Sequence, residues 1–323
     1  MTEFGLIERY FAPLSEAAPG AMMLRDDAAL IPGRAGVDTV CTADMLVAGV
    51  HFLADDPPAD IARKMLRVNL SDLAAMGAEP HGYLLSIAFP AAPEAAWMEA
   101  FSAALAEDQA RFRVTLLGGD TVSTSGPLTL NVTALGHVPH GQALTRGGAR
   151  PGDRVAVSGT VGDAGLALLH LLGRVEPFAA EVAEPLMARL RRPEPRLALG
   201  RRLRGVASAC LDLSDGLFAD LGHIAEVSGV AIVLDASSVP FSPAARRVLA
   251  DRPELLGAAI SGGDDYELAF TIPAGTEAAL AGIAAECGVE LTAIGVVESG
   301  QGVRVRGADG QDMALGSGGW RHF

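Results

Sequence analysis

The sequence predicts an α/β chain of two domains, each a sheet with helices to one side. Strand-like and helix-like stretches alternate through both halves, which is the pattern of stacked α and β layers. A Gly- and Pro-rich segment with no periodicity, GHVPHGQALTRGGARPG at 136–152, lies between the halves and marks a boundary, giving domains 1–145 and 146–323. The 323 residues, half of them hydrophobic, exceed what one average core serves.

In the first half an amphipathic start covers Phe4 to Phe11, and Val37 to Thr42 reads as a strand. Pro58 to Gly77 reads as a helix because Ile61, Met65 and Val68 fall on one face. Tyr83 to Phe89 is the next strand and Pro93 to Phe112 a long helix. A short strand, Val114 to Leu117, is expected to stop at Gly118-Gly119-Asp120, with another strand at Leu128 to Leu135.

The second half opens with the strand Arg154 to Val157, the turn Ser158 to Asp163 and a helix from Ala164. A strand, a Gly-rich turn and a helix N-terminus in that order present free backbone N–H groups, an arrangement that favours an anion. Helices near 183–192 and 194–204 lead to the strand Ala209 to Leu213, and Ser214-Asp215-Gly216 starts a helix through Val227. Strands follow at Ala231 to Leu234, Glu267 to Ile272, Leu291 to Val297 and Val303 to Arg306.

Composition excludes several functions. A net charge of -14 argues against nucleic-acid or anionic-membrane partners, which are bound through positive surface. Cys41, Cys210 and Cys287 lack the spacing of a zinc or redox motif and read as buried reduced thiols of a cytoplasmic protein. The start, MTEFGLIERYF, carries acids and no long apolar run, so neither a signal peptide nor a membrane span is expected there. Lys64, the only lysine, sits in a helical stretch with no Gly-rich loop before it, which excludes a P-loop and makes Schiff-base chemistry unlikely.

Asp26, Asp27, Asp44, Asp72, Asp120, Asp212 and Asp215 lie in short Gly-, Ser- or Thr-flanked segments, mostly where an apolar run ends. Carboxylates gathered at strand ends raise one another's pKa unless hard cations neutralise them, and Mg ions bridging to phosphates do so. Taken singly, each acid reads as a cap or turn residue. His51 lies close beyond Asp44, Arg146 lies between the domains, and Asp264-Asp265 reads as a pair of loop acids.

The motifs CTADMLVAGVHF, NLSDLAAMGAEP, LLGGDT, ALTRGGARPGD, VSGTVGD, LDLSDGLFADLGHI and SGGDDYELAFT occur in this order over most of the chain. Together they resemble the thiamine-monophosphate kinase family, within the aminoimidazole-ribonucleotide-synthetase-like superfamily. The resemblance implies an N-terminal domain with a mixed sheet, helices on one side and a dimer interface, and a C-terminal α/β domain that closes over nucleotide and substrate. It implies transfer of the γ-phosphoryl of ATP to thiamine monophosphate, giving thiamine diphosphate, in a homodimer. Asp27, Thr42, Asp44, Asp72, Asp120, Asp212 and Asp215 would then hold several Mg ions. Gly119, Asp120, Arg146 and Ser214 would contact ATP, and His51, Asp264 and Trp320 the thiamine phosphate. Asp44, Asp120 and Arg146 would act on the reaction electrostatically.

The chemistry of the residues agrees with these roles. A phosphate monoester is largely ionised at neutral pH, its second pKa being about 6, so the acceptor needs no general base. Two polyanions must instead be held in line, a task for positioned cations. Arg146 can clamp phosphate bidentately. Trp320 offers an aromatic face, and Asp264 a carboxylate, to the thiazolium cation. The chain departs from the family's usual residues at Arg25, Ala43 and Asp264. The competing readings are a sister ATP-dependent synthetase, a two-metal phosphohydrolase and a non-enzymatic nucleotide-binding module.

Overall fold

The structure, a computed structural model, describes residues 3–18, 21, 31, 33–307 and 309–313. Arg25, Asp26, Asp27 and Trp320 lie outside the described residues. The chain forms two compact units, Met1–Leu73 with Ala78–Gly141, and Ala74–Gly77 with Gln142–Phe323.

The first unit begins with a short helix α1 (Glu3–Leu6), continued by a π turn over Ile7–Phe11 and a 3-10 turn over Ala12–Ser15. Strand β1 (Val37–Val47), helix α2 (Pro58–Ala75), strand β2 (Glu79–Phe89), helix α3 (Ala95–Phe112), strand β3 (Thr115–Ser123) and strand β4 (Thr129–Pro139) follow. The sheet order is β1-β4-β2-β3, with β2 and β3 parallel and the other pairs antiparallel. The parallel pair is the one joined through a helix, α3, as a crossover requires.

One face of this sheet is covered. Alternate residues of β4, among them Leu130, Val132 and Ala134, are fully buried, as are Tyr83, Leu85 and Ile87 of β2. Met65, Leu66, Leu70 and Leu73 of α2 and Phe101 and Leu105 of α3 are buried as well. The opposite face is open, with Cys41, Met45, Leu84 and Val122 exposed on it. Cys41 is therefore not a buried thiol as expected, and Cys287 is only half-buried; Cys210 alone is buried.

The four strands of the first sheet run further than expected: β2 begins at Glu79 rather than Tyr83, and β4 continues past Leu135 to Pro139, into the segment read as the boundary. β1 carries five residues beyond Thr42, so Asp44 sits inside the strand rather than at its end. β3 does not stop at Gly118 but runs through Gly118-Gly119-Asp120 to Ser123. Glycine is required there, because a Cβ on Gly119 would lie 1.8 Å from the Leu85 carbonyl oxygen. The pair is also offset by an irregularity at Tyr83/Leu84, a place where glycine is commonly found.

The second unit contains strand β5 (Arg154–Ser158), helices α4 (Asp163–Leu171), α5 (Ala180–Arg191) and α6 (Leu197–Leu203), strand β6 (Ala209–Asp212), helix α7 (Leu217–Ser228) and strand β7 (Ala231–Asp235). Helices α8 (Pro243–Asp251) and α9 (Leu256–Ser261), strand β8 (Leu268–Ile272), helix α10 (Ala278–Cys287) and strands β9 (Leu291–Glu298) and β10 (Gly302–Arg306) complete it. The sheet order is β10-β7-β9-β5-β8-β6, antiparallel except for β10 with β7. Its core joins Val155, Leu166, Leu186, Leu217, Ile232 and Ile294 in one buried cluster. Helices α8, α9 and α10 are additions to the expected order.

Candidate active site

The first unit gathers three of the expected metal ligands. Thr42 and Asp44 lie two apart on β1, so they share the covered face, and α2 brings Asp72 to them. The Thr42 hydroxyl donates to Asp72 Oδ2 at 2.5 Å. Burial, and then the neighbouring Asp72 carboxylate, push the Asp44 carboxyl up to about 7. Two acids pressed together in a part-buried place, beside a hydroxyl, form an all-oxygen donor set of the kind a hard cation satisfies. The residues present therefore fit Mg.

Asn69 was not among the expected residues, yet it fixes this cluster. Its Oδ1 accepts the Asp44 N–H at 3.1 Å while its Nδ2 donates to the Met65 carbonyl at 3.0 Å. Its position three residues before Asp72, and so on the same side of α2, is the signal that could have found it.

His51 lies in the turn after β1. Its Nδ1 accepts the Val47 N–H at 3.0 Å, which places the ring proton on Nε2. Lys64 of α2 donates from Nζ to the His51 carbonyl at 2.8 Å. The lone lysine thus has a structural use, with 4% of its surface exposed.

Asp120 is not with these residues. Across the sheet, Asp44 pairs with Val132, Val132 with Leu85 and Leu85 with Gly119. Asp44 and Gly119 are thus three strand spacings apart, about 14 Å at about 4.8 Å each. Asp120 pairs with Ser86 on the open face and is exposed. Ligands of one Mg ion lie within about 4 Å of each other, since each Mg–O bond is about 2.1 Å. Asp44 and Asp120 of one chain therefore cannot share an ion.

The second unit gathers Asp212, Ser214, Asp215 and Asp264. Asp212 ends β6, and the turn Ser214-Asp215-Gly216 leads into α7. Asp264 N–H donates to the Ser214 carbonyl at 2.8 Å, which brings the SGGDDY loop against this turn. Asp215 is not the cap of α7. Gly216 occupies that position, and Asp220 Oδ2 accepts the N–H groups of Asp215 and Gly216 at 3.0 Å each.

Asp220 and His223 extend the expected set. Among the described residues, carboxylate oxygens of Asp215 and Asp220 and a ring nitrogen of His223 lie within 4.8 Å of one another. Burial, then the carboxylates of Asp212 and Asp215, push Asp220 well above the ordinary carboxylate range. The helical spacing of Asp220 and His223, three apart in LDLSDGLFADLGHI, could have revealed them.

Arg146 is exposed and lies on the segment leading to β5. That segment is fixed on both sides: Cys210 N–H donates to the Thr145 carbonyl at 2.8 Å, and the Ser228 hydroxyl donates to the Arg146 carbonyl at 3.3 Å.

The place of the anion expected at the SGTVGD turn is taken by the protein's own Asp265, whose carboxyl group is pushed by burial well above the ordinary carboxylate range. Asp265 Oδ2 accepts the Gly162 N–H at 2.7 Å and Oδ1 the Ala164 N–H at 3.5 Å. The N-terminus of α4 is thereby filled by a side chain, as helix-end polarity favours, and it offers no phosphate cradle.

Residues 25–138 match the model of the AIR synthase related protein N-terminal domain, and residues 150–308 that of its C-terminal domain. The thiamine-monophosphate kinase of Caulobacter vibrioides is 45% identical over 324 residues, covering 99% of this chain and 91% of that one. A crystal structure of thiamine-monophosphate kinase from Stenotrophomonas maltophilia has 44% identity and a TM-score of 0.84, covering 94% of this chain and 98% of the other. A structure of AaThiL complexed with AMPPCP and TMP has 31% identity and a TM-score of 0.77, covering 99% and 97%. The chain belongs to the thiamine-monophosphate kinase family of AIR synthase related proteins.

Proposed function

We propose that the chain transfers the γ-phosphoryl group of ATP to thiamine monophosphate, yielding thiamine diphosphate and ADP. The reading is supported by whole-length similarity to thiamine-monophosphate kinases and by one observation on the site: Asp44 and Asp72 are held together at a cost that a cation would remove.

Thr42, Asp44 and Asp72 would hold Mg in the first unit, and Asp212 and Asp215 in the second, with Asp27 and Asp120 as further ligands. Bound there, Mg supplies charge neutralisation between the two polyanionic substrates. Gly119, Asp120, Arg146 and Ser214 would take ATP, with the always-charged guanidinium of Arg146 on phosphate. His51 would present its Nε2 proton to the acceptor phosphate. Asp264 and Trp320 would face the cationic and aromatic parts of thiamine. No residue is assigned as general base, because the acceptor oxygen is already ionised.

We further propose a homodimer formed through the open face of the first sheet, where Cys41, Met45, Leu84 and Val122 lie exposed. Burial of such surface drives association. Among the described residues no helix is long and apolar enough to cross a membrane, and we place the protein in the cytoplasm with its ATP.

Incubation of the purified chain with ATP and Mg tests the reading. Thiamine monophosphate is expected to give thiamine diphosphate, identified by mass, and thiamine to give no phosphorylated product. Formation of thiamine monophosphate from thiamine would overturn the acceptor assignment.

A further inference from the structure

We propose that Asp265 is a positioning residue: its buried carboxylate, seated on the N-terminus of α4, holds Asp264 against the Ser214-Asp215-Gly216 turn. The proposal rests on the reading that Asp264 faces the thiamine phosphate. The two acids of SGGDDY then have separate tasks, one for the ligand and one for the loop that carries it.

The backbone gives the first indication. Asp264 has φ 70° and Tyr266 φ 50°, so two side-chain-bearing residues in the left-handed region bracket Asp265. Such conformations are costly for residues with a Cβ and persist where the surroundings over-determine them.

The surroundings do so here. Asp265 is 2% exposed, and its carboxylate takes the Gly162 and Ala164 N–H groups. Arg189 Nη2 donates to the Asp265 carbonyl at 3.4 Å. On the other side the Asp264 and Tyr266 N–H groups donate to the Ser214 and Leu213 carbonyls, both at 2.8 Å. Gly263 permits this closeness, since a Cβ there would lie 2.3 Å from the Ser214 oxygen.

The turn itself has a support of its own, independent of Asp265. Asp220 holds Asp215 and Gly216 through their N–H groups. Loosening Asp265 therefore moves Asp264 more than it moves Ser214 or Asp215. This predicts a selective defect in thiamine monophosphate binding, with ATP binding little changed.

The experiment compares Asp265→Asn, Asp264→Ala and the double variant in the full chain. Asparagine keeps the shape but turns an amide NH2 toward an N–H donor, so one bond to α4 is lost. For Asp265→Asn the KM for thiamine monophosphate should rise on the order of ten- to a hundredfold, the range a misplacement of about 1 Å can produce, while the KM for ATP stays near wild type. In the Asp264→Ala background the second change should add nothing. If Asp265→Asn gives no soluble protein, Asp265→Glu, which keeps the charge on a longer arm, is read the same way. A wild-type KM in the Asp265 variant, additive effects, or equal rises for both substrates would overturn the proposal while the Asp264 assignment stands. A wild-type KM for Asp264→Ala would instead sink the assignment, and the proposal with it.

Discussion

The hydroxyl of Thr42 donates to Oδ2 of Asp72 at 2.5 Å across thirty residues of sequence, joining the middle of β1 to the last turn of α2. Asp44, two residues along the same strand face, completes a cluster whose carboxyl groups repel each other.

That repulsion has a pH signature. A carboxyl whose folded-state pKa is raised contributes stability that is fully present below its unfolded value, near 3.8, and lost as pH rises through about 7. The metal-free chain should therefore melt at progressively lower temperature from about pH 4 to about pH 7. Mg should recover more of the melting temperature at the upper end than at the lower, because it competes with protons for the same oxygens. Thermal melts with and without Mg across this range check the sign; an equal Mg effect throughout would remove Asp44 from the metal site.

Asp44→Asn should lower turnover on the order of 10² to 10³-fold, the scale of losing one preorganised electrostatic contact to a transition state. The same change removes the charge that Asp72 opposes, so the metal-free variant should melt no lower than wild type at neutral pH. Steady-state rates and melts of the one protein measure both.

Gly119→Ala places a methyl group where the Leu85 carbonyl oxygen already stands. β3 must move away from β2, at a cost of roughly 1–3 kcal/mol by the usual scale of overpacking. Urea unfolding gives the difference, and an unchanged midpoint would mean that the two strands separate easily.

Glu267, 0% exposed, pairs with Arg189 at 2.7 Å and with Arg196, and accepts the Ser158 hydroxyl at 2.5 Å. Glu267→Gln leaves two guanidinium groups facing an uncharged amide. A loss of about 3–5 kcal/mol is the usual result of breaking a buried ion pair on one side, again readable by chemical denaturation.

The sequence made the order of strands and helices legible wherever periodicity was clear, as in α2 with Ile61, Met65 and Val68 all buried. It missed where strands pass through glycine. Gly118-Gly119 reads locally as a stop, but the close approach of β2 is a tertiary fact that a local pattern does not carry. Candidate ligands such as Thr42, Asp44 and Asp72 were legible because the family motifs name them. Asn69, which accepts the Asp44 N–H, and Asp220, which accepts those of Asp215 and Gly216, left only the faint signal of helical spacing, because the backbone N–H that each one takes is set by the fold. Asp265 shows why a Gly-rich turn before a helix is a weak phosphate signal: a side chain about 100 residues away can fill it.

Label transfer from ATP carrying 32P in its γ-phosphate tests the central claim most directly. With Mg and thiamine monophosphate, the account predicts label in the terminal phosphate of thiamine diphosphate and a rate that depends on the acceptor. Label released only as inorganic phosphate, at a rate indifferent to thiamine monophosphate, would contradict it and make the carboxylate clusters those of a phosphohydrolase.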